Sequence, residues 1–167
     1  MSASYKPLPA AEELWELFSY NPLSGQLHWR VIASQRTRID DPAGSSRRDY
    51  IYAQVNHKKY PVHRLIWAWV NGRDPDAFVD HIDGNKTNNQ AWNLRRATRA
   101  QNGWNRSSHR SNTSGYKGVF RNHKNWRARI KANGRVYCLG TYKTPEEAHQ
   151  AYCEAAARLH GEFAHVA

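Results

Sequence analysis

Between Asp83 and Glu146 the 167-residue sequence has no acidic residue at all. That gap, residues 84–145, is 62 residues long and carries 14 of the 25 lysines and arginines. The rest of the chain holds 11 basic groups against 14 acidic ones, so the whole formal surplus of +11 lies in one segment. A block of one sign this long points to a polyanionic partner. Nucleic acid comes first, because each neutralised phosphate releases counterions. A merely soluble surface would be served as well by mixed signs. Cysteine is also scarce. Cys138 and Cys153 are the only two, too few for a disulfide framework or a four-cysteine zinc site, and they suit a reducing, intracellular setting. Long hydrophobic runs are missing: the longest, residues 65–70, is six residues, against the ~20 needed to span a bilayer. Residues 1–10 lack a basic region followed by an apolar core, so no signal peptide is expected. Aromatic residues, in contrast, are plentiful: seven Trp, nine Tyr and four Phe supply enough apolar area for real cores and argue against disorder.

The pattern along the chain is that of a mixed α+β protein with one domain or two small ones. Residues 12–18 put Leu14, Leu17 and Phe18 at helical spacing. Residues 21–25 read as a turn, and residues 26–31 as a strand with Leu27, Trp29 and Val31 on one face. The polar, Gly/Ser/Arg-rich residues 34–49 read as a loop. Residues 50–55 and 60–62 read as strands around a turn at 56–59. Residues 63–71 read as a short helix stopped by Gly72. Residues 79–85 run as a strand into an Asp-Gly turn, residues 93–95 offer a partner strand, and residues 97–105 a helix. Residues 107–114 contain no apolar side chain and read as a linker. Beyond it, strands are expected over 116–121, 126–131 and 135–142. A helix follows, with Thr144 as N-cap, Pro145 at its first position, Glu147 closing a capping box and Gly161 as the stop. Ala148, Ala151, Tyr152, Ala155 and Leu159 form its apolar stripe.

The middle strand of this last unit sorts its residues by parity. Trp126, Ala128 and Ile130 share one face, and Arg127, Arg129 and Lys131 the other. With the apolar face on the helix, the opposite face presents three cations in a row, roughly 7 Å apart. A ribbon of two or three strands is narrow enough for the DNA major groove, where Arg binds guanine bidentately. Tyr116-Lys117-Gly118-Val119, Trp126-Arg127-Ala128-Arg129-Ile130, Leu139-Gly140-Thr141-Tyr142, Thr144-Pro145-Glu146-Glu147-Ala148 and Ala151-Tyr152, in that order, resemble the plant APETALA2/ethylene-response-factor DNA-binding domain over about residues 114–163. The resemblance implies a three-stranded sheet in the major groove backed by one helix, with Lys117, Arg127, Arg129 and Lys131 as DNA contacts. The third strand departs from the plant pattern: Val136 and Cys138 take the outward places that Arg and Trp hold there, so the resemblance does not imply the plant base preference.

Three polar residues stand out in the middle of the chain: His81, Asn93 twelve residues on and Asn102 twenty-one on. A neutral His takes a proton from water near pH 7, and a hard divalent cation prefers oxygen donors such as Asp80 and the Asn102 amide. Such a cation stabilises the charge of a reacting phosphodiester. By spacing alone the same residues also suit an ordinary polar loop, since Asp-His pairs are common and Asn crowds residues 85–89. Asp80-His81-Ile82-Asp83-Gly84-Asn85, Asn88-Asn89, Asn93-Leu94-Arg95 and Gln101-Asn102, with Val62-His63-Arg64-Leu65-Ile66 upstream, resemble the HNH endonucleases of phages and mobile introns over roughly residues 12–106. The third signature position is Asn rather than His, a variant of the intron-encoded branch. The resemblance implies a ββα-metal nuclease fold using one Mg²⁺ or Mn²⁺ and no zinc. His81 would be the general base and Asn93 the brace of its loop, with Asp80 and Asn102 as metal ligands. Strict strand alternation sends Asp80 and His81 to opposite faces, which leaves Asp83 as an alternative ligand. Arg95, Arg96 and Arg99 are candidates for phosphate contacts near the cut.

Together these readings predict an HNH nuclease domain over residues 1–106, a linker over 107–114 and an APETALA2-like domain over 115–167. The expected activity is metal-dependent nicking of double-stranded DNA by a homing-type monomer, with no membrane partner, in the cytoplasm of a bacterial host and encoded by a phage. The alternative is a non-catalytic, sequence-specific DNA-binding regulator with a degenerate HNH module.

Overall fold

The computed structural model describes residues 6–106 and 112–166. The expected linker over 107–114 lies for the most part outside the described residues. The chain divides into two compact units, residues 1–97 and 98–167. Among the described residues no helix is long and apolar enough to cross a membrane.

The first unit opens with α1 (Ala11–Leu17), which runs directly into β1 (Phe18–Asn21). Sequence periodicity extends this helix to Phe18. Phe18 instead takes extended backbone (φ −131°, ψ 146°), because it pairs with Trp29 of β2 (Gln26–Trp29) and the two rings pack at 4.5 Å. β3 (Ser45–Arg47), β4 (Tyr50–Val55) and β5 (Lys58–Pro61) form an antiparallel sheet in the order β3–β4–β5. The turn between β4 and β5 is tighter than the sequence suggests. Asn56 and His57 both have positive φ, 47° and 60°, as a two-residue type I′ turn requires. β3 lies inside the expected loop; its three residues are all exposed and polar, so backbone pairing with β4 holds it and no side-chain pattern announces it. α2 (Val62–Asn71) buries residues 62–68 and ends at Gly72 in the left-handed conformation, φ 67°. Leu14, Phe18, Leu27, Trp29, Leu65 and Ile66 lie at the centre of the core. β6 (Phe78–His81) and β7 (Leu94–Ala97) close the unit as an antiparallel pair, with a 3-10 turn at Ala91–Asn93 before β7.

The second unit begins with α3 (Arg99–Trp104). Thr98 caps it, accepting from Gln101 N while the Gln101 side chain accepts from Thr98 N. The chain order β6, β7, α3 is that of a ββα motif. β8 (Val119–Asn122), β9 (Asn125–Ala132) and β10 (Arg135–Tyr142) form an antiparallel sheet with β9 in the centre. α4 (Pro145–His160) carries the expected capping box between Thr144 and Glu147. Its buried Ala148, Tyr152, Ala155 and Ala156 face Val119, Ala128 and Ile130 of the sheet. Burying Ile130 alone is worth about 1.5–3 kcal/mol. Gly118 shows how close this packing is. Its φ is +73°, and a Cβ there would lie 2.3 Å from the Tyr152 ring and 2.6 Å from the Arg129 carbonyl oxygen.

Candidate active site and nucleic-acid interface

β6 is buried over three of its four residues, so its two faces are both covered. Alternation along the strand is kept. Asp80 stands opposite Arg95 of β7, whose Nε and a terminal guanidinium nitrogen each donate to Asp80 Oδ2 at 3.1 Å. His81, the next residue, turns its ring towards His63 at the start of α2 (centroids 4.9 Å apart) and Tyr50 of β4 (6.2 Å). Its Nε2 lies 3.0 Å from Asn89 Oδ1. His81 and Asn89 are both buried.

Burial holds the His81 imidazole below its ordinary pKa, outweighing the Asn89 hydrogen bond and the nearby Asp83 and Asp80 charges that favour protonation. His63, more deeply enclosed, is pulled down to about 3 by burial and by the neighbouring His81 and Arg64. A depressed His pKa keeps the ring neutral at pH 7, the form that accepts a proton.

The loop between β6 and β7 is held from inside by amide–carboxylate bonds. Asn93, fully buried, accepts from Asp83 N (3.0 Å) and donates from Nδ2 to Asp83 Oδ1 and to Asn88 O, both at 2.9 Å. Asp83 also accepts from Asn88 Nδ2 (2.7 Å) and Asn85 N (2.8 Å). Burial opposes ionisation of Asp83, but these bonds prevail and hold its carboxyl below the usual range. Both Asp83 oxygens are thus engaged in shaping the loop. The β1–β2 hairpin supports the same loop from outside. The Tyr20 hydroxyl accepts from Ala91 N (2.8 Å), and Gln90 Nε2 donates to Leu23 O (2.6 Å). Gly25, at φ +71°, allows the closest approach: a Cβ would sit 2.6 Å from Gln90 N and 2.7 Å from the Asn89 carbonyl carbon.

The structure therefore brings together Asp80, His81, Asn93 and Arg95. Arg95 is half-buried on Asp80, whereas Arg96 and Arg99 are exposed. Asn102 lies half-buried on α3, in the second unit. Among the described residues no three His, Cys, Asp or Glu side chains gather as a metal cluster. The donors named by the sequence pattern are a carboxylate and an amide. Hard oxygen donors of this kind are the type that divalent cations such as Mg²⁺ take. Sequence reading missed Asn89, His63 and Tyr50 as parts of the His81 environment. Asn89 stands in the quoted Asn88-Asn89 pair and His63 in the upstream motif, whereas nothing in the sequence marks Tyr50.

In the second unit β9 follows its expected parity. Arg127, Arg129 and Lys131 are exposed, while Ala128, Ile130 and Ala132 are buried. The pairing register sets Phe120 of β8 beside Arg127, and Val136 and Cys138 of β10 beside Lys131 and Arg129, on the outward face. The Arg129 guanidinium sits over the Phe120 ring at 4.6 Å. Pairing shifts between Cys138 and Gly140, a one-residue bulge at Leu139. Lys117 does not stand on this face as a displayed cation. It is half-buried, and its ammonium donates to the Trp104 carbonyl.

The family model for the HNH endonuclease matches residues 60–104, and the AP2 domain model matches residues 114–162. An uncharacterised HNH endonuclease of Acanthamoeba polyphaga mimivirus is 41% identical over 108 residues, covering 64% of this chain and 56% of that protein. Protein 3.8 of Escherichia phage T7 is 35% identical over 105 residues, covering 61% of this chain and 86% of that protein. The match thus spans little more than half the length of the mimivirus relative. No solved structure matches. With both models in the expected order and a relative largely covered, the chain belongs to the HNH endonuclease family and carries an AP2 domain behind its HNH motif.

Proposed function

We propose that the chain is a metal-dependent DNA endonuclease: the HNH part, residues 1–106, hydrolyses a phosphodiester, and the AP2 part, residues 115–167, holds the duplex. The observation that carries this reading is the setting of His81, a buried imidazole kept neutral by burial and held at Nε2 by Asn89. An amide oxygen only accepts, so Nε2 carries the hydrogen, and a neutral imidazole in this tautomer has its basic nitrogen at Nδ1, the atom that would take the proton from water. Asn93 and Asp83 brace the loop that carries Asn89, which supports a fixed direction for the ring. Asp80, steadied by Arg95, supplies a carboxylate, and Asn102 is the amide donor that the family pattern implies. A divalent cation on such ligands supplies charge stabilisation for the phosphate and for the leaving 3′-oxygen.

The exposure of Arg96 and Arg99 supports a role in meeting phosphates, and that of Arg127, Arg129 and Lys131 a role in meeting phosphates and base edges. One HNH site cuts one strand, so the product expected from a monomer is a nick. The resemblance to mobile-intron enzymes, with relatives in a phage and a giant virus, supports a site-preferring, homing-type role inside an infected cell. The test is incubation of supercoiled plasmid with Mg²⁺ or Mn²⁺. Open circles should precede linear product, and His81→Ala should lower cleavage by about 10²–10⁴-fold with DNA binding retained. Equal cleavage by the His81→Ala variant would sink the assignment. Tight binding to a duplex without any nicking would establish the regulator reading in its place.

A further inference from the structure

The second unit contains a cavity of about 830 Å³, and its lining includes Arg99 from the proposed phosphate contacts. Its volume falls within the range of about 300–1,000 Å³ typical of small-molecule sites. Trp104, Ile130, Val136 and Tyr152 provide apolar lining, Arg99 and Lys117 provide cations, and no acidic residue is among the described residues that line it. The Trp104 indole already lies flat on the His160 imidazole, with centroids 4.4 Å apart and planes within 8°. His160 in turn is fixed by a bond from Nε2 to the Lys131 carbonyl, 3.0 Å. A flat, anchored aromatic surface beside cations suits a ligand with a planar ring and a negative charge.

A second observation comes from α3. Gly103, one residue from the helix end, lines the cavity. No left-handed φ requires glycine there, and a Cβ would meet nothing within 4 Å. Glycine at such a position gives up helix stability relative to alanine. What it does provide is open space at the cavity wall. We propose that this cavity binds a single nucleotide, with its base against Trp104 and its phosphate among the lining cations. The nucleotide is either free or turned out of a DNA strand. Burial pulls the Lys117 ammonium down to about 8, and an anion beside it would favour the charged form.

The test uses the full chain. Calorimetric titration with dAMP should give saturable binding, at least about tenfold tighter than deoxyadenosine or inorganic phosphate alone, since one base stack is worth about that factor. In a second arm, a duplex with one bulged 2-aminopurine should change fluorescence on binding and bind more tightly than the fully paired duplex. Response only to dAMP assigns the site to a free nucleotide, and response only to the bulge assigns it to an extruded one. Gly103→Leu and Ala100→Leu, both filling exposed positions of α3 on the cavity wall, should each weaken binding by about tenfold or more, and Gly103→Ala by little. Thermal melts identify a variant that fails to fold, and the other blocking variant then decides. Absence of saturable binding in both arms overturns the proposal. So does inorganic phosphate matching dAMP, or blocking variants that bind as wild type does. No arm requires cleavage, so failure here and failure of the nuclease reading are separable.

Discussion

Asn89 offers the most direct access to the proposed base, because it acts on one atom of one ring. Replacing it with alanine removes the acceptor 3.0 Å from His81 Nε2 inside a buried site. Leaving a buried donor without that acceptor costs about 1–3 kcal/mol. If that energy is what holds the imidazole in its productive tautomer and direction, the rate falls by about 5- to 150-fold at every pH. Replacing Asn89 with aspartate keeps the acceptor and adds a negative charge. A carboxylate at this distance raises a His pKa by about 1–3 units. The wild-type site works against protonation: burial depresses the His81 pKa, so the acid limb of its rate profile belongs below the ordinary His value of about 6.5. In Asn89→Asp that limb moves up, activity at pH 7 drops, and it returns as the pH rises. The assay is single-turnover nicking of a labelled duplex in Mg²⁺, from about pH 5.5 to about pH 9, with DNA binding measured at each pH. An Asn89→Asp limb that coincides with wild type, together with full activity in Asn89→Ala, would refute the reasoning and remove His81 from the base role.

Two further predictions address the frame around the site. His63 is held near 3, so below about pH 6.5 the unfolded chain takes up a proton that the folded chain refuses until far lower pH. This stability is complete above about 6.5 and is lost as the pH falls towards 3. Urea midpoints should therefore drop more steeply between pH 6.5 and pH 4 in wild type than in His63→Phe, and equal slopes would count against it. Gly118→Ala adds a methyl where Tyr152 and the Arg129 carbonyl already stand, on top of a left-handed backbone. The loss should be about 2–5 kcal/mol in denaturant unfolding, the sum of overpacking and left-handed strain. Gly115→Ala meets no neighbour at φ +77° and should show only the strain; equal losses in the two variants would be evidence against the packing account.

Local rules made much of the fold legible. Parity in β9, the Thr144–Glu147 capping box and the Gly72 helix stop are decided within a few residues of chain, and each stands where the sequence places it. The site was legible in its motif residues but not in its surroundings. That Arg95 would lie on Asp80 follows from the pairing register of β6 with β7, which a one-residue shift would have changed. Tyr50 and His63 reach His81 from elements 31 and 18 residues away in the chain, and no periodicity reports such a meeting. The same holds for Asp83. As a residue type it is a plausible metal ligand, and only the three-dimensional loop reveals its oxygens occupied by Asn85, Asn88 and Asn93.

The parity of β9 also bears on how such a protein can change over time. Positions 127, 129 and 131 project to the outside, and 128, 130 and 132 into the packing against α4. Substitution at the first set alters the outer face without disturbing the second, so that face can drift while the fold stays intact. Insertion or deletion of one residue within the strand exchanges the two sets, placing arginines against alanines and isoleucine on the outer face. A lineage carrying this domain is therefore free to wander in side chain at three places, and is held fixed in length by the three between them.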